Sequence, residues 1–228
     1  MKSGKWNEMA YSLPLSLIQL STFHFPLFLV EYTPMKKQTK KGHIIVVSAP
    51  SGAGKTSICD AHIASDKNTI YSISYTTRVP RQGEKNGREY FFTTSATFKK
   101  MIKDNKFAEW ALVHGNYYGT PKAFLNKTIN SGKNVLLDID VQGGLNIKKQ
   151  YKNACMIFIM TKDLKTLKSR LLKRNKDSKE TIEKRLKNAQ KELKLLPKYD
   201  YLVINDKLQD ASEAVKTIIK SLNYKREN

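Results

Sequence analysis

One loop constrains the fold more than any other part of the chain. Residues 48–57 read Ser-Ala-Pro-Ser-Gly-Ala-Gly-Lys-Thr-Ser, and they follow the apolar, β-branched run His-Ile-Ile-Val-Val at 43–47. Such a run predicts a buried strand, and the residues after the loop have helical spacing. A strand, a small-residue loop ending in Gly-Lys-Thr and a helix, in this order, make a P-loop. The sequence therefore predicts an α/β protein that binds a nucleotide polyphosphate.

The residues of this loop have distinct expected roles. Gly52 and Gly54 permit unusual backbone angles and leave no Cβ in the way of the phosphates. Lys55 is expected to reach the β- and γ-phosphates, and the Thr56 hydroxyl to bind Mg²⁺. The general motif has glycine where this chain has Ala49. The residues predicted to bind ATP in this loop are Ala49, Pro50, Ser51, Gly52, Ala53, Gly54, Lys55, Thr56 and Ser57.

The positive charge of the chain does not require a nucleic-acid partner. The formal net charge is +21, but 34 of the 41 basic residues are lysines, spread along predicted helix surfaces that solvent can cover. The seven arginines are more informative. A planar guanidinium binds phosphate oxygens through two parallel hydrogen bonds, which lysine cannot do. Arginines retained in so lysine-rich a chain are therefore candidates for phosphate contacts.

Three further motifs follow the P-loop. Residues 74–81 read Ser-Tyr-Thr-Thr-Arg-Val-Pro-Arg, residues 115–120 read Gly-Asn-Tyr-Tyr-Gly-Thr, and residues 137–143 read Leu-Asp-Ile-Asp-Val-Gln-Gly. With these motifs the chain resembles the guanylate kinases, which transfer a phosphoryl group from ATP to GMP. The resemblance runs from about Gly42 to the C-terminus. Bacterial members of that family commonly have the same P-loop, including the alanine at position 49.

The resemblance implies a fold and an activity. The fold is that of a P-loop nucleoside monophosphate kinase: a parallel sheet flanked by helices, with an inserted GMP-binding segment at about 74–125 and a lid at about 165–188. The implied enzyme is cytoplasmic, uses ATP and Mg²⁺, and serves purine nucleotide metabolism and GTP supply. It is expected to be a monomer or a homodimer, with no nucleic-acid partner and no membrane association.

The resemblance also assigns roles to single residues. Arg78 and Arg81, helped by Tyr90 and Tyr118, are expected on the GMP phosphate. Glu109 and Asp140 are expected to bind the guanine base. The complete set expected to bind GMP is Ser74, Arg78, Arg81, Tyr90, Glu109, Tyr118, Thr120, Asp138 and Asp140. The expected catalytic residues are Lys55, Arg78, Arg170, Arg174 and Arg185.

Three of these arginines belong to the implied lid. Arg170, Arg174 and Arg185 are expected to close over the ATP phosphates, although Lys-Arg-Asn at 173–175 replaces the glycines that the family usually has there. Asn205 resembles the residue that contacts adenine. Thr56 and Asp138 are the expected Mg²⁺ ligands.

Apolar runs and helical spacing outline the rest of the body. Strands are predicted at 43–48, 70–75, 134–139, 154–160 and 201–204, and helices at 55–65, 121–131, 163–174, 179–196 and 210–223. Their alternation implies a parallel sheet covered on both faces, with ligands at the carboxyl ends of the strands. The two cysteines fall in a predicted helix and a predicted strand, which favours reduced core thiols in a cytosol.

The first 34 residues differ from the rest of the chain. Between Glu8 and Glu31 lie 22 uncharged residues, but Pro14 and Pro26 and several polar side chains interrupt the apolar ones. We expect an N-terminal extension, disordered or arising from a misassigned start, followed by a kinase domain at 35–228. A membrane or targeting segment and a docked N-terminal arm are the alternatives.

Three other functions remain open at this stage. A guanylate-kinase-like scaffold domain binds peptides instead of nucleotides, but such domains usually lose P-loop residues, and Lys55 and Thr56 are both present. A kinase of phosphorylated sugars shares the P-loop but not the purine pocket implied by Glu109 and Asp140. A nucleic-acid binder is suggested by charge alone.

Overall fold

A parallel sheet forms the centre of the structure, a computed structural model that describes residues 41–113, 115–173 and 178–222. Its strand order is β2-β7-β1-β8-β9, and all four pairings within it are parallel. The strands of this central sheet are β1 (Ile44–Ser48), β2 (Thr69–Tyr71), β7 (Asn134–Asp138), β8 (Cys155–Met160) and β9 (Tyr201–Ile204). β1, β7 and β8 are almost entirely buried, as expected for strands covered on both faces.

Helices cover both faces of the central sheet. The helices of the described residues are α1 (Lys55–Ser65), α2 (Ser95–Lys103), α3 (Lys122–Asn130), α4 (Val141–Gln150), α5 (Leu164–Lys173), α6 (Lys179–Leu193) and α7 (Leu208–Leu222). Of these, α2 packs on a smaller, inserted sheet instead. Alternate residues of β1 point to opposite faces. Ile45 and Val47 belong to a core built with α1, α5, α6 and α7, whereas Val46 belongs to a second core with α3 and α4.

A smaller sheet is inserted between β2 and α3. Its strands are β3 (Tyr75–Thr76), β4 (Phe91–Phe92), β5 (Phe107–Val113) and β6 (Asn116–Pro121), in the order β4-β3-β6-β5. β6 runs antiparallel to both β3 and β5, and a bulge interrupts the β5 register between Phe107 and Glu109. Rings of this sheet and of α2 pack together, with Phe98 stacked on Phe107 at a centroid distance of 4.4 Å.

The structure confirms the P-loop kinase architecture predicted from the sequence, with two differences of detail. The single strand expected at 70–75 is two short strands, β2 and β3, which belong to different sheets. The helix expected at 179–196 ends at Leu193, and a 3-10 helix, Leu196–Lys198, follows. Pro197 explains that stop, because proline cannot continue the hydrogen bonding of an α-helix.

The two cysteines are buried free thiols, Cys59 in α1 and Cys155 in β8, as the sequence predicts. The Ser178 hydroxyl accepts a hydrogen bond from the Thr181 N–H and caps α6. Within the described ranges, none of the helices is both long and apolar enough to cross a membrane.

The topology brings the chemistry-bearing loops to one edge of the central sheet. β1 and β7 are neighbours, and Val47 at the end of β1 lies opposite Asp138 at the end of β7. The loop that follows β1 therefore lies beside the carboxylates at the end of β7. This edge, formed by the carboxyl ends of parallel strands, is where open α/β sheets bind their ligands.

Candidate active site

The phosphate loop turns between β1 and α1 on two glycines with positive φ, Gly52 at 96° and Gly54 at 93°. At Gly54 a side chain is excluded twice, by the backbone angle and by the Asn205 amide, which a Cβ would strike. Ala49 is not among the residues with positive φ, so an alanine fits that position without strain. Thr56 and Ser57 lie exposed in the first turn of α1.

Lys55 bridges the phosphate loop and the carboxyl end of β7. Its ammonium is in contact with the Asp138 carboxylate and also donates to the carbonyl oxygen of Ile139 at 3.3 Å. Burial by itself lowers the pKa of Lys55, but the charge of Asp138 and the hydrogen bond to it outweigh burial and raise that pKa above its ordinary value. Lys55 is therefore held protonated beside the loop.

A cavity of about 180 Å³ opens next to Lys55, between the central sheet and the inserted sheet. Residues predicted to bind GMP line it from three strands, β5, β6 and β7, and from the segments that join the elements. They are Ser74, Tyr90, Glu109, Tyr118, Asp138 and Asp140. A larger cavity of about 610 Å³, lined in part by Lys41, Lys148 and Asp200, contains none of the predicted site residues. The smaller cavity is thus the candidate acceptor site.

Glu109 is the most buried carboxylate of this cavity. It lies on β5 opposite Thr120 of β6, whose hydroxyl donates to Glu109 Oε1 at 2.7 Å. Asp140 caps α4 by accepting the Gly143 N–H on Oδ1 at 2.7 Å. A Cβ at Gly143 would come within 2.9 Å of Glu109 Oε2. The glycine therefore allows the two carboxylates to share one wall of the cavity.

Burial changes the ionisation of Glu109. Its side chain belongs to a residue only 5% exposed, and burial, with a smaller contribution from the negative charge of Asp140, raises the pKa of Glu109 to about 7. The hydrogen bond from Thr120 opposes this rise. A group that is buried and charged is costly unless a partner supplies hydrogen bonds. The cavity therefore presents a buried hydrogen-bond acceptor that matches a ligand with adjacent N–H donors.

Arg78 lies beside the cavity and packs against two aromatic rings. Its guanidinium carbon lies 5.4 Å from the centroid of the Tyr90 ring and 5.8 Å from that of Phe92. Its Nη2 donates to both carboxylate oxygens of Glu84, at 2.9 Å each. Arg81 lies on the same loop but is exposed, and neither arginine is a lining residue of the cavity; Arg78 reaches it through Tyr90, which is. Of the two predicted phosphate-binding arginines, the structure orients Arg78 and leaves the Arg81 side chain at the surface.

Two of the lid arginines contact the phosphate loop from neighbouring helices. Arg185 on α6 donates to the Ser51 hydroxyl at 3.0 Å. Arg170 on α5 donates from Nη2 to the carbonyl oxygens of Asn205 and Asp206, at 2.9 and 3.2 Å, and from Nη1 to that of Ala53 at 3.5 Å. Arg174 lies outside the described residues.

Asn205 lies at the base of the phosphate loop. It follows β9, is 3% exposed, and donates from Nδ2 to the carbonyl oxygen of Ala53 at 2.7 Å. Here the amide fastens the loop to the end of the last strand. The adenine contact expected for Asn205 stays a prediction, and in this conformation the donor of the amide is committed to the protein backbone.

The oxygen donors near Lys55 fit a magnesium ion. Asp138 supplies a carboxylate at the carboxyl end of β7, and Thr56 supplies an exposed hydroxyl one residue after Lys55. In the described parts of the chain, no cluster of three or more histidine, cysteine or acidic side chains forms a metal cage. Mg²⁺ does not need one, because it is usually held by one or two protein oxygens together with substrate phosphates.

Sequence reasoning missed two residues that shape the site. Gly143 was recognised only as part of a motif, and its role depends on the approach of Glu109 from another sheet. Glu84 follows the arginine pair in the sequence, but nothing in its spacing indicates that both of its oxygens accept from Arg78 Nη2. A conserved spacing between Arg78 and an acidic residue would have been the signal, and a single sequence does not display it.

The fold and the site together define a P-loop kinase of nucleoside monophosphates. The family model described as guanylate kinase matches residues 41–222. The chain is 46% identical over 180 residues to a guanylate kinase of Caldanaerobacter subterraneus subsp. tengcongensis, covering 79% of this chain and 87% of that protein. It is also 46% identical over 183 residues to one of Helicobacter pylori, covering 80% and 89%. The chain belongs to the guanylate kinase family.

A solved structure supports the same assignment. The crystal structure of guanylate kinase from Anaplasma phagocytophilum superimposes with a TM-score of 0.69 at 28% sequence identity, covering 82% of this chain and 88% of that one. The enzyme interpretation of the sequence is thereby confirmed over that of a scaffold domain, a sugar kinase or a nucleic-acid binder.

Proposed function

We propose that the protein transfers the γ-phosphoryl group of ATP to GMP, giving ADP and GDP. The observation that carries the proposal is the position of the Glu109 cavity beside Lys55: a base-binding pocket and a polyphosphate loop share one edge of the sheet. A nucleoside monophosphate seated in the cavity points its phosphate toward the loop. The enzyme then acts in cytoplasmic purine metabolism and GTP supply, as a monomer or a homodimer.

The chemistry of this transfer demands positive charge more than acid–base catalysis. The nucleophile is an oxygen of the acceptor phosphate that is already ionised, and two anions must meet in line. Lys55 is held protonated by Asp138, and Arg78 is fixed beside the cavity. Lid arginines Arg170 and Arg185 approach the loop from the other side. These cations lower the electrostatic barrier without any large reorganisation during the reaction.

Magnesium completes this charge distribution. Thr56 and Asp138 are the residues that would hold the ion. When bound, the ion would neutralise negative charge that develops on the transferred phosphoryl group. Lys55 can bind phosphate without leaving Asp138. An ammonium has three N–H donors, and the carboxylate approaches it from one side only.

Specificity for guanine follows from the hydrogen-bonding character of the cavity. Guanine offers N1–H and the exocyclic N2 amine as adjacent donors, and the ionised carboxylates of Glu109 and Asp140 are acceptors only. Adenine presents a bare acceptor at N1 and no amine at C2, so it would leave the buried Glu109 unpaired. Sites that strand a buried polar group reject the wrong ligand strongly. Ser74 lines the cavity and is available for the remaining base atoms, whereas the buried Thr120 hydroxyl donates to Glu109 and acts on the base through that carboxylate.

A coupled ADP-release assay with GMP, AMP, UMP and CMP as acceptors tests the proposal. We expect turnover with GMP that exceeds turnover with the other three by orders of magnitude. Glu109→Gln should raise the KM for GMP and narrow the gap to AMP, because it replaces an acceptor oxygen with an N–H donor. Equal phosphorylation of AMP and GMP by the unmodified enzyme would rule out both the acceptor assignment and the proposed reaction.

A further inference from the structure

The loop that carries the arginine pair is folded around one carboxylate, that of Glu84. Arg78 Nη2 donates to both Glu84 oxygens at 2.9 Å, and the Arg81 N–H donates to Oε2 at 2.8 Å. The Glu84 N–H in turn donates to the Arg81 carbonyl oxygen at 3.0 Å and closes the turn. Three donors from two residues therefore converge on a single side chain.

The tip of this loop is exposed, although hydrogen bonds from the Arg78 N–H to the Thr76 hydroxyl at 3.1 Å and from Arg88 Nη2 to the Gly83 carbonyl oxygen at 2.9 Å hold its two ends. Val79, between the two arginines, is 79% exposed, and Arg81 and the residues next to it are exposed as well. The ion pair between Arg78 and Glu84 is better shielded from solvent than the rest of the loop, because the Glu84 side chain is only 17% exposed and the Arg78 side chain only 14%. The hydrogen bond from Arg78 lowers the pKa of Glu84, so the carboxylate stays ionised at neutral pH.

Arg78 keeps donor capacity for a ligand while it is held. A guanidinium has five N–H groups. The two bonds to Glu84 and one from Nη1 to the Val79 carbonyl oxygen at 2.8 Å account for three of them, and a hydrogen bond with Tyr118 accounts for a fourth. The rings of Tyr90 and Phe92 fix the plane of the guanidinium. Arg78 is thus oriented before any anion arrives, and orientation in advance reduces the entropy that binding must offset.

We propose that Glu84 is a positioning residue that orients Arg78, through its side chain, and the main chain of Arg81 for the phosphate of the acceptor nucleotide. The inference rests on the proposed function, since it concerns the same acceptor. Glu84 itself does not touch the nucleotide. Its charge does not repel the phosphate appreciably, because Arg78 and the Arg81 N–H neutralise and solvate it.

The substitution Glu84→Gln tests the contact without changing its shape. An amide has one acceptor oxygen where the carboxylate has two, and its NH₂ group is a donor. Three donors point at this position, so the amide nitrogen must face at least one of them. Glu89→Gln is the matched control, because Glu89 pairs with Arg88 on the same segment while the Arg88 side chain is 58% exposed. Exposed pairs of this kind contribute little.

The measurement is the affinity of the full-length chain for GMP and for guanosine by titration calorimetry, with the KM for ATP alongside. We expect Glu84→Gln to weaken GMP binding by about tenfold to a hundredfold, as for loss of a charge-assisted contact, while guanosine binding and the KM for ATP stay within twofold. Glu89→Gln should change none of the three. In an Arg78→Ala background the effect of Glu84→Gln on GMP should fall below about threefold, because most of it acts through Arg78.

Each other outcome has a definite meaning. Unchanged GMP affinity, or an equal loss for GMP and guanosine, would overturn the positioning role and leave Glu84 a structural residue. Tighter GMP binding would overturn it too, and would mark Glu84 as a competitor for Arg78. The proposed function fails separately, if the unmodified chain does not prefer GMP to AMP. Guanosine binding by the variant also reports that the pocket has folded.

Discussion

The Lys55 ammonium and the Asp138 carboxylate are in direct contact, although they lie on elements separated by 83 positions in the chain. Lys55 begins α1, and Asp138 ends the strand that pairs with β1. The contact joins the phosphate loop to the wall of the acceptor cavity, because both residues line that cavity. One ion pair therefore sets the distance between the donor side and the acceptor side of the site.

Lys55→Ala should abolish detectable phosphoryl transfer and leave the fold intact. The lysine projects into a polar site, so its removal opens no apolar cavity, but it deletes a cation from the transition state. We expect a loss of at least about a hundredfold to a thousandfold in kcat, as for removal of one preorganised electrostatic contact. ADP release measures the effect, and circular dichroism verifies the fold. Near-normal kcat would contradict the P-loop assignment.

Arg78→Lys should impair the enzyme although it keeps the charge, and more than Arg81→Lys does. The Arg78 guanidinium donates to Glu84 from Nη2 and to the Val79 carbonyl oxygen from Nη1, and it packs on the Tyr90 ring; the single ammonium of lysine has neither the second nitrogen nor the plane. The expected loss at Arg78 is about 1.5–3 kcal/mol, or roughly tenfold to a hundredfold in kcat/KM. Arg81 engages Glu84 through its main chain, which the substitution preserves. Equal tolerance of lysine at both positions in steady-state assays would refute the argument.

The KM for GMP should depend on pH through Glu109. Burial raises the pKa of Glu109 to about 7, and only the ionised carboxylate accepts the guanine N–H groups. GMP binding therefore releases a proton below pH 7, and the KM should rise as pH falls, by up to about tenfold per pH unit. Glu109→Gln supplies the baseline for titration of the nucleotide itself. A parallel pH profile of the variant and the unmodified enzyme would exclude Glu109 as the source.

The free energy of unfolding of the protein without nucleotide should fall as pH rises through the titration of Glu109, whereas GMP binding should improve over the same range. The folded-state pKa of this acid lies above its unfolded value, so the folded protein holds the proton more tightly. The destabilisation by the buried charge is absent below the unfolded pKa, grows as pH rises, and is complete above about pH 7. Glu109→Gln should therefore raise Tm at pH 8 and change it less at pH 5, which thermal unfolding at both pH values measures.

Gly143→Ala should weaken GMP binding even though alanine favours a helix. A Cβ at Gly143 would lie 2.9 Å from Glu109 Oε2, and the carboxylate would have to move. We expect the KM for GMP to rise by about tenfold while that for ATP changes little, because the phosphate loop does not contact Gly143. Gln142→Ala, at an exposed neighbouring position, is the control. Unchanged KM values for Gly143→Ala would show that the wall of the cavity can relax.

Deletion of residues 1–34 should leave an active enzyme. The segment carries none of the motifs, and the match to the guanylate kinase family begins at residue 41. ADP release by the truncated chain, compared with that of the full chain, tests this domain boundary. Loss of folding or of activity would support a docked arm, and recovery of the full chain with membranes would support a targeting segment.

Much of this architecture could be predicted from the sequence because it depends on local patterns. The buried run of β1, the glycines of the loop and the stripe of α6 are each readable over a few residues. The strand expected at 70–75 was wrong in extent because its alternation gives no sign that the chain changes sheets near Ser72. The inserted sheet was not resolved into strands, since its pairings join residues far apart in sequence.

The site shows the same division. The types and order of the residues predict binding of a phosphate and a base. The raised pKa of Glu109, in contrast, arises from burial, which only the packed structure provides. The commitment of the Asn205 amide to Ala53, likewise, depends on a contact between residues 152 positions apart. The burial of a side chain and the identity of its hydrogen-bond partner depend on residues distant in sequence, so a short stretch of sequence does not predict them.

The glycines at the start of α4 affect how the enzyme folds. Gly143 and Gly144 lie in its first turn, where each stabilises a helix by about 1 kcal/mol less than alanine. The helix therefore depends on the Asp140 cap and on packing against the central sheet. The position of Asp140 is consequently only as secure as the packing of α4 against a strand from each sheet, β1 and β5.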